Sequence, residues 1–304
     1  MTHQARFERL VRLAWLHNVI HGKLPAPHPE AELAIFEVGS EGQAVYAVEH
    51  IPGAVYLDTD VLEAPPLWNR LPDRELEAAL LAHGVAHDTP VVLYGRDTTA
   101  AARAVVIMMY AGVEDVRLLD GGYQAWTAAG YEVEAGARRP VAAASFGRQI
   151  PAHPEYIIDI GEARAILADD GAVLVSIRSW AEYVGQISGY YHVQAKGRIA
   201  GALWGHAGST PSQMDHFRRA NNTMRSPGEI EANWRAWGIT PEKQIAFYCG
   251  TGWRASEAFF YAHVLGWERI SVYDGGWREW SADPANLVER GEPTARGWRT
   301  KRSP

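Results

Sequence analysis

The chain repeats itself. Val91–Tyr94 (VVLY) followed by Leu118–Trp126 (LLDGGYQAW) returns as Ile245–Tyr248 (IAFY) followed by Val272–Trp280 (VYDGGWREW), at a constant offset of 154 residues. Tyr94/Tyr248, Gly112/Gly266, Glu114/Glu268, Asp120/Asp274, Gly121/Gly275, Gly122/Gly276 and Trp126/Trp280 coincide under that shift. His50–Ala54 (HIPGA) and Arg198–Ala202 (RIAGA) match at a slightly smaller offset. A period this long is that of a duplicated domain rather than a solenoid, and 304 residues accommodate two such units, each large enough to bury its own core. The expected division is a first domain over 1–140, a linker over 141–153 and a second domain over 154–304. The stretch Glu134–His153 is rich in Ala, Pro, Arg and Gly, without clear periodicity, and reads as the connection.

Within each copy the signals alternate. Leu33–Val38, Thr89–Tyr94, Ala172–Ile177 and Lys243–Tyr248 are short apolar runs expected to be buried strands, as are Val116–Leu119 and Ile270–Tyr273. Asp73–Ala82, Ala100–Tyr110, Glu229–Trp237 and Arg254–Leu265 are expected helices, and Ser226-Pro-Gly-Glu229 has the pattern of a capping box with proline at the first helical position. Strands alternating with helices predict two α/β domains, each a mainly parallel sheet with helices on both faces.

Composition removes several classes of partner. The net charge of −7 gives no general attraction to nucleic acid or to an anionic membrane, so neither is expected as a partner, and any bound anion requires a local site. The longest apolar run, Ala104–Ala111, is far short of the ~20 residues needed to cross a bilayer. Leu10–Leu16 is apolar but interrupted by Arg12, with no small-residue cleavage site after it, so the expected location is the cytoplasm; a trimmed secretory signal would leave the same sequence in the periplasm. The polar tail from Gly291, with Arg299, Lys301 and Arg302, reads as mobile.

The single cysteine, Cys249, can form neither an intrachain disulfide nor a cysteine-based zinc cluster. A lone cysteine is commonly an inert core residue. This one stands where an expected strand runs into Cys249-Gly250-Thr251-Gly252-Trp253-Arg254-Ala255 and then a helix, the place where parallel α/β sheets hold ligands. Two glycines let backbone N–H groups turn inward as an anion-binding nest, the helix N-terminus adds partial positive charge, and Arg254 adds a full one. Such surroundings favour a thiolate. Gly250-x-Gly252-x-x-Ala255 with Asp274 also matches a dinucleotide fingerprint. The first copy keeps Asp120 without those glycines, which argues that the acid belongs to the fold; a cysteine-based sulfur or phosphoryl transfer site is the other reading.

Tyr248-Cys249-Gly-Thr-Gly-Trp-Arg254-Ala-Ser, the downstream Asp274-Gly-Gly-Trp-Arg-Glu-Trp280 and the two HIPGA-like segments together resemble the rhodanese (thiosulfate sulfurtransferase) superfamily, over about Arg9 to Val288, as a tandem pair. The resemblance implies two rhodanese-like domains with an inactive first copy, and Gly95 indeed stands at the position matching Cys249. It implies a persulfide on Cys249 cradled by Gly250, Thr251, Gly252, Trp253, Arg254 and Ala255. It also implies a small anionic sulfur donor contacted by Arg178, a thiol or cyanide acceptor, and no cofactor or metal. The six-residue loop from Cys249 to Arg254 has the length that goes with sulfur rather than with the longer phosphatase loop. Ser176 and Ala200 depart from the family's usual acid and proline. Trp253-Arg254, Glu182-Tyr183-Val184 and Asn69 depart from the mercaptopyruvate pattern, which favours thiosulfate or a similar sulfane donor as substrate. The alternatives are 3-mercaptopyruvate sulfur transfer and a non-catalytic rhodanese-type binding module.

The remaining candidates are read as structural. His17/His21 and His83/His87 have helical i, i+4 spacing but no carboxylate in the zinc-protease pattern, so they are expected to be surface or partly packed imidazoles. Asp120 and Asp274 precede Gly-Gly and are assigned to turn chemistry. Arg225 and Arg235 are expected to be solvated helix charges. Trp253, inside the loop, is a candidate pocket wall.

Overall fold

A computed structural model describes residue 6, residues 8–23, residue 26, residues 32–40 and residues 42–293. The tail with Arg299, Lys301 and Arg302 lies outside the described residues.

Two five-stranded sheets carry the fold. The first has the order β1 (Leu10–Val11), β7 (Val116–Leu119), β6 (Val91–Gly95), β2 (Ala34–Gly39), β3 (Val55–Asp58), with every neighbouring pair parallel. The second has the order β8 (Ile157–Ile158), β13 (Ile270–Tyr273), β12 (Gln244–Tyr248), β9 (Ala172–Ser176), β11 (Leu203–Trp204), again all parallel. The two orders correspond strand for strand, so the duplication read from the sequence is a duplication of topology. The central strands are buried throughout, which is why they read as unbroken apolar runs rather than alternating ones. β1 is an addition to the sequence reading: two residues of the Leu10–Leu16 run pair with β7, and Leu13–Ile20 is a helix. Glu134–His153 is largely irregular but strapped to the first domain: Glu134 bridges His50, and Phe146 is fully buried.

The domains meet along two helices, Thr98–Ala111 and Trp253–Val264, which pack on each other. Every residue of the first is buried, and so is every residue from Arg254 to Val264 in the second. Helices apolar on all sides are stable only when enclosed, and each is covered by its own sheet and by the other helix.

Around this pair the domains exchange hairpins. The first domain extends β4 (Glu63–Ala64) and β5 (Asn69–Arg70), an antiparallel pair. The second extends the matching segment, where Arg218 bridges Met224. Asp274 accepts the backbone N–H of Arg70 at 3.0 Å, and Asp120 accepts that of Met224 at 2.7 Å. Arg70 and Met224 are 154 residues apart, as are the two aspartates. Asp120 and Asp274 are therefore more than turn residues: each clasps the other domain. Trp68 and Asn222, also one repeat apart, both have left-handed backbone at φ 62° and 65°. Two buried ion pairs follow nearly the same symmetry with the charges exchanged, Glu63 with Arg103 on one side and Arg218 with Glu257 on the other; Arg103 and Glu257 are one repeat apart, and Glu63 and Arg218 are offset by one residue from it. A third antiparallel pair, β10 (Arg198–Ile199) with β14 (Val288–Glu289), closes the second domain.

Candidate active site

β12 ends at Tyr248, and Cys249 begins the turn into the Trp253–Val264 helix. The carbonyls of Cys249 and Gly250 accept hydrogen bonds from the N–H groups of Trp277 (2.8 Å) and Arg278 (3.1 Å), at the start of the helix Gly276–Ala282. In a trans peptide the N–H lies opposite the C=O. With those carbonyls turned outward, the N–H groups of Gly250 and Thr251 face the other way. The N–H of Gly252 donates to Cys249 Sγ at 3.3 Å. Gly252 sits at φ +105°, and a Cβ there would stand 3.0 Å from Arg103 Nη1; a Cβ on Gly250 would fall 2.2 Å from the Tyr190 ring. Both glycines are required by close approach, and Gly252 by conformation as well.

Cys249 is 2% exposed, yet its side chain is not sealed in the core: it lines a cavity of about 520 Å³ between the domains. Thr251, Trp253, Arg254 and Tyr190 line it from the second domain, Asp97 and Thr99 from the first. Trp253 is a wall of this cavity, and its indole N–H donates across the domain boundary to Glu63 Oε1 at 2.6 Å. Among the expected cradle residues, Gly250, Gly252 and Ala255 contribute backbone to the loop, while Thr251, Trp253 and Arg254 also reach the cavity.

Beneath the loop lies a charge cluster the sequence reading did not anticipate. Arg254 donates to both oxygens of Glu182, at 3.0 and 2.9 Å, and to the hydroxyl of Tyr190. Arg178 donates to Glu182 at 3.3 Å, to the Gly197 carbonyl at 2.7 Å and to the Ser188 carbonyl at 2.8 Å. Arg178, expected to contact the donor, is fully buried and is not among the residues lining the cavity; its guanidinium is occupied by one carboxylate and two carbonyls. Two guanidiniums share one carboxylate, so the cluster carries one net positive charge under the cysteine loop. Burial alone would raise the Glu182 carboxyl, but Arg254 first and Arg178 second outweigh it and hold the group below the usual range. Burial is also the main reason the Tyr190 hydroxyl is pushed up to about 12, so it remains a proton donor at neutral pH. The Tyr190 ring lies over both guanidiniums, 5.4 Å from Arg254 and 5.8 Å from Arg178.

Glu182, Tyr190 and Glu63 were missed. Ser179-Trp-Ala-Glu182 is a capping box in the structure, a pattern that is visible in the sequence. Nothing local marks Tyr190 or Glu63, which matter only through tertiary contact. Arg225 and Arg235 stand off the cavity: Arg225 donates to the Asp215 carbonyl and Glu229, and Arg235 is exposed. The corresponding turn of the first domain has Gly95 in place of the cysteine; Asp97 caps the Thr98–Ala111 helix, and Arg96 pairs with Glu37 at 2.9 Å.

The model of the rhodanese-like domain matches residues 24–129 and 159–283. Thiosulfate sulfurtransferase YnjE of Escherichia coli is 52% identical over 287 residues, covering 94% of this chain; the chain spans only 66% of that relative's length. Its crystal structure superposes with a TM-score of 0.94 at 50% identity, over 97% of this chain and 71% of that one. The sulfur carrier protein TtuD of Thermus thermophilus is 31% identical over 88% of this chain and 92% of its own length. The anaerobic ergothioneine biosynthesis enzyme of Chlorobium limicola, solved with trimethyl histidine, matches with a TM-score of 0.92 at 42% identity, over 96% of this chain and 72% of that one.

Proposed function

The chain belongs to the rhodanese-like domain family, and from that premise we propose that it is a sulfurtransferase working through a persulfide on Cys249. The observation that carries the reading is that Cys249 is among the residues lining an interdomain cavity and that the Gly252 N–H is directed at its Sγ. In the first half-reaction the Cys249 thiolate attacks the outer sulfur of thiosulfate. An S–S bond to Cys249 forms, the bond to the sulfonate sulfur breaks, and sulfite leaves with the electron pair. In the second, a nucleophilic acceptor, a thiol or cyanide, attacks the terminal sulfur and Cys249 leaves as thiolate. The roles assigned to this chain are electrostatic: the loop amides from Gly250 to Ala255 solvate the ionised sulfur and the persulfide, and Arg254, with Arg178 behind it, supplies the net positive field that an anionic donor requires. The experiment is intact mass after incubation with thiosulfate. The wild type should gain one sulfur atom and Cys249→Ala none; an alanine variant that still transfers sulfur would refute the assignment. Rates with thiosulfate and with 3-mercaptopyruvate decide between the two donors.

A second acceptor is supported by one specific observation. In the crystal structures of the ergothioneine enzyme EanB, the substituted tyrosine precedes the persulfide cysteine, and the substituted threonine follows it, by the same intervals as Tyr190 and Thr251 stand from Cys249. An imidazole acceptor such as trimethyl histidine, with its cation beside the Asp97 carboxylate and the Trp253 ring and its carboxylate toward Arg254, suits this cavity. Persulfurated protein mixed with trimethyl histidine should then yield the thiolated imidazole; if it yields none while a thiol is sulfurated, the thiol is the acceptor.

A further inference from the structure

His17 and His21 leave the Leu13–Ile20 helix on one face, one in its last turn and one at its C-cap. The sequence offers no neighbouring carboxylate, but the fold brings one from beyond the Gly122–Ala128 helix. Glu132 Oε2 lies 3.4 Å from His17 Nε2, and Oε1 lies 3.3 Å from His21 Nε2. The three ligand atoms lie within 4.8 Å of one another.

The parts are held in place before anything binds. His21 Nδ1 is 2.8 Å from the His17 carbonyl, which can only accept, so Nδ1 carries the hydrogen. In the neutral ring Nε2 therefore aims a lone pair at a carboxylate oxygen, which is repulsive unless a cation lies between them. His17 stacks against Tyr131, centroids 4.6 Å apart, and the Trp126 indole N–H fixes the Glu132 carbonyl at 2.8 Å. His17 can meet the carboxylate as its neutral Nε2–H tautomer, but His21 needs a second proton to do so, which places an imidazolium 4.3 Å from the neighbouring ring. A divalent ion shared by the three groups satisfies the His21 lone pair without that proton. Zinc–ligand bonds of ~2.0–2.1 Å imply a tetrahedral edge of about 3.3 Å between ligand atoms; each imidazole lies about that far from one oxygen of Glu132, a different oxygen for each ring, so the exposed carboxylate turns to present a single oxygen to a shared ion.

We propose that His17, His21 and Glu132 form a zinc site with three protein ligands and a water in the fourth position, clasping the N-terminal helix of the first domain to the segment after Ala128. His21 and Glu132 are 46% and 42% exposed at the side chain, so the ion enters from solvent and the fourth position is open to water. None of the three residues lines the Cys249 cavity, so the site is separate from the sulfur chemistry.

The test is calorimetric titration of the full chain with zinc chloride, in the wild type, Cys249→Ser, His21→Gln and Glu132→Gln. The serine variant removes the competing thiol. The glutamine variants change exposed groups, and an unaltered rate of sulfur transfer from thiosulfate shows them to be folded. The expected result is one site, retained in Cys249→Ser and weakened roughly ten-fold or more in each glutamine variant. Zinc should raise the melting temperature of the wild type and not that of the glutamine variants. Equal zinc affinity in the wild type and both glutamine variants, or no binding to the wild type at sub-millimolar zinc, would overturn the proposal and leave the cluster as a proton-mediated contact.

Discussion

Replacing Glu182 with Gln tests whether the charge cluster beneath the cysteine loop is built as described. In the structure this carboxylate accepts from Arg254 twice, from Arg178, and from both the N–H and the hydroxyl of Ser179. It is fully buried, as is Arg178, and Arg254 is 6% exposed. Glutamine has the same shape, but one of its two terminal atoms becomes a donor facing donors, and no negative charge remains between two guanidiniums. Leaving buried charges without their partner costs roughly 3–5 kcal/mol. At ~2–4 °C per kcal/mol for a chain of this class, the melting temperature should fall by about 10 °C. The effect must also depend on pH in a definite sense. Arg254 and Arg178 hold the Glu182 carboxyl below its unfolded value, so its contribution is fully present above the ordinary carboxylate range of ~4.3 and disappears as the pH falls through the depressed folded value. Wild type and variant should therefore differ most near neutrality and converge in acid. Scanning calorimetry across pH 3 to 7, alongside persulfide formation by mass, reads both. A Glu182→Gln protein melting within ~2 °C of the wild type at neutral pH would refute the argument, because two unpaired buried cations cannot be free of consequence.

Gly252→Ala places a Cβ at φ +105° and 3.0 Å from Arg103 Nη1; a loss of ~1–3 kcal/mol in urea unfolding and a fall in persulfide yield are expected together. The paired clasps separate charge from hydrogen bonding. Asp120→Asn can still accept from the Met224 N–H and should lose only ~1 kcal/mol, whereas Asp274→Asn also breaks the pair with Arg103 and should lose ~3–5 kcal/mol by the same titration. Trp253→Phe keeps the cavity wall but strips the buried Glu63 carboxylate of its indole donor; ~1–3 kcal/mol of stability should go, with KM for the donor changing more than the rate from the loaded enzyme.

The parts of this molecule that were legible in the sequence are those fixed by local pattern. Val116–Leu119, Ile270–Tyr273 and Asp73–Ala82 have the bounds expected of them, because strands buried on both faces and an amphipathic helix announce themselves by apolar spacing alone. The central helices begin earlier than expected, at Thr98 and Trp253, because their starts are set by a capping Asp97 and a left-handed Gly252 rather than by hydrophobic periodicity. Cys249 was identifiable because a thiol between a strand and a Gly-x-Gly turn is a local arrangement. The depth of Arg178 was not legible, because sequence gives a residue's neighbours and not its burial: the side chain is held by Glu182 and two carbonyls under the loop. Tyr190 and Glu63 were invisible for the opposite reason, since each reaches the loop from a segment with no periodic signal and acquires meaning only through what it touches.

The first copy has Gly95 where the second has Cys249, yet it supplies contacts that hold the second copy's cysteine loop. Glu63 takes the Trp253 indole N–H from across the boundary, and its other oxygen takes Arg103. Arg103 runs beneath Gly252 and on to Asp274, which in turn receives the Arg70 amide. The chain of contacts thus begins in a hairpin of the first domain and passes beside the loop that carries the thiol to the turn beyond β13. The reverse hairpin, with Met224 on Asp120 and Arg218 on Glu257, makes the same construction at the Gly95 turn, which carries no cysteine. A two-fold arrangement of clasps accounts for the retention of Asp120 and Asp274 with the glycines after them in both copies, while Gly95 and Cys249 differ. Duplication made an interface that each copy completes for the other, and one side of that interface holds the loop around a reactive sulfur.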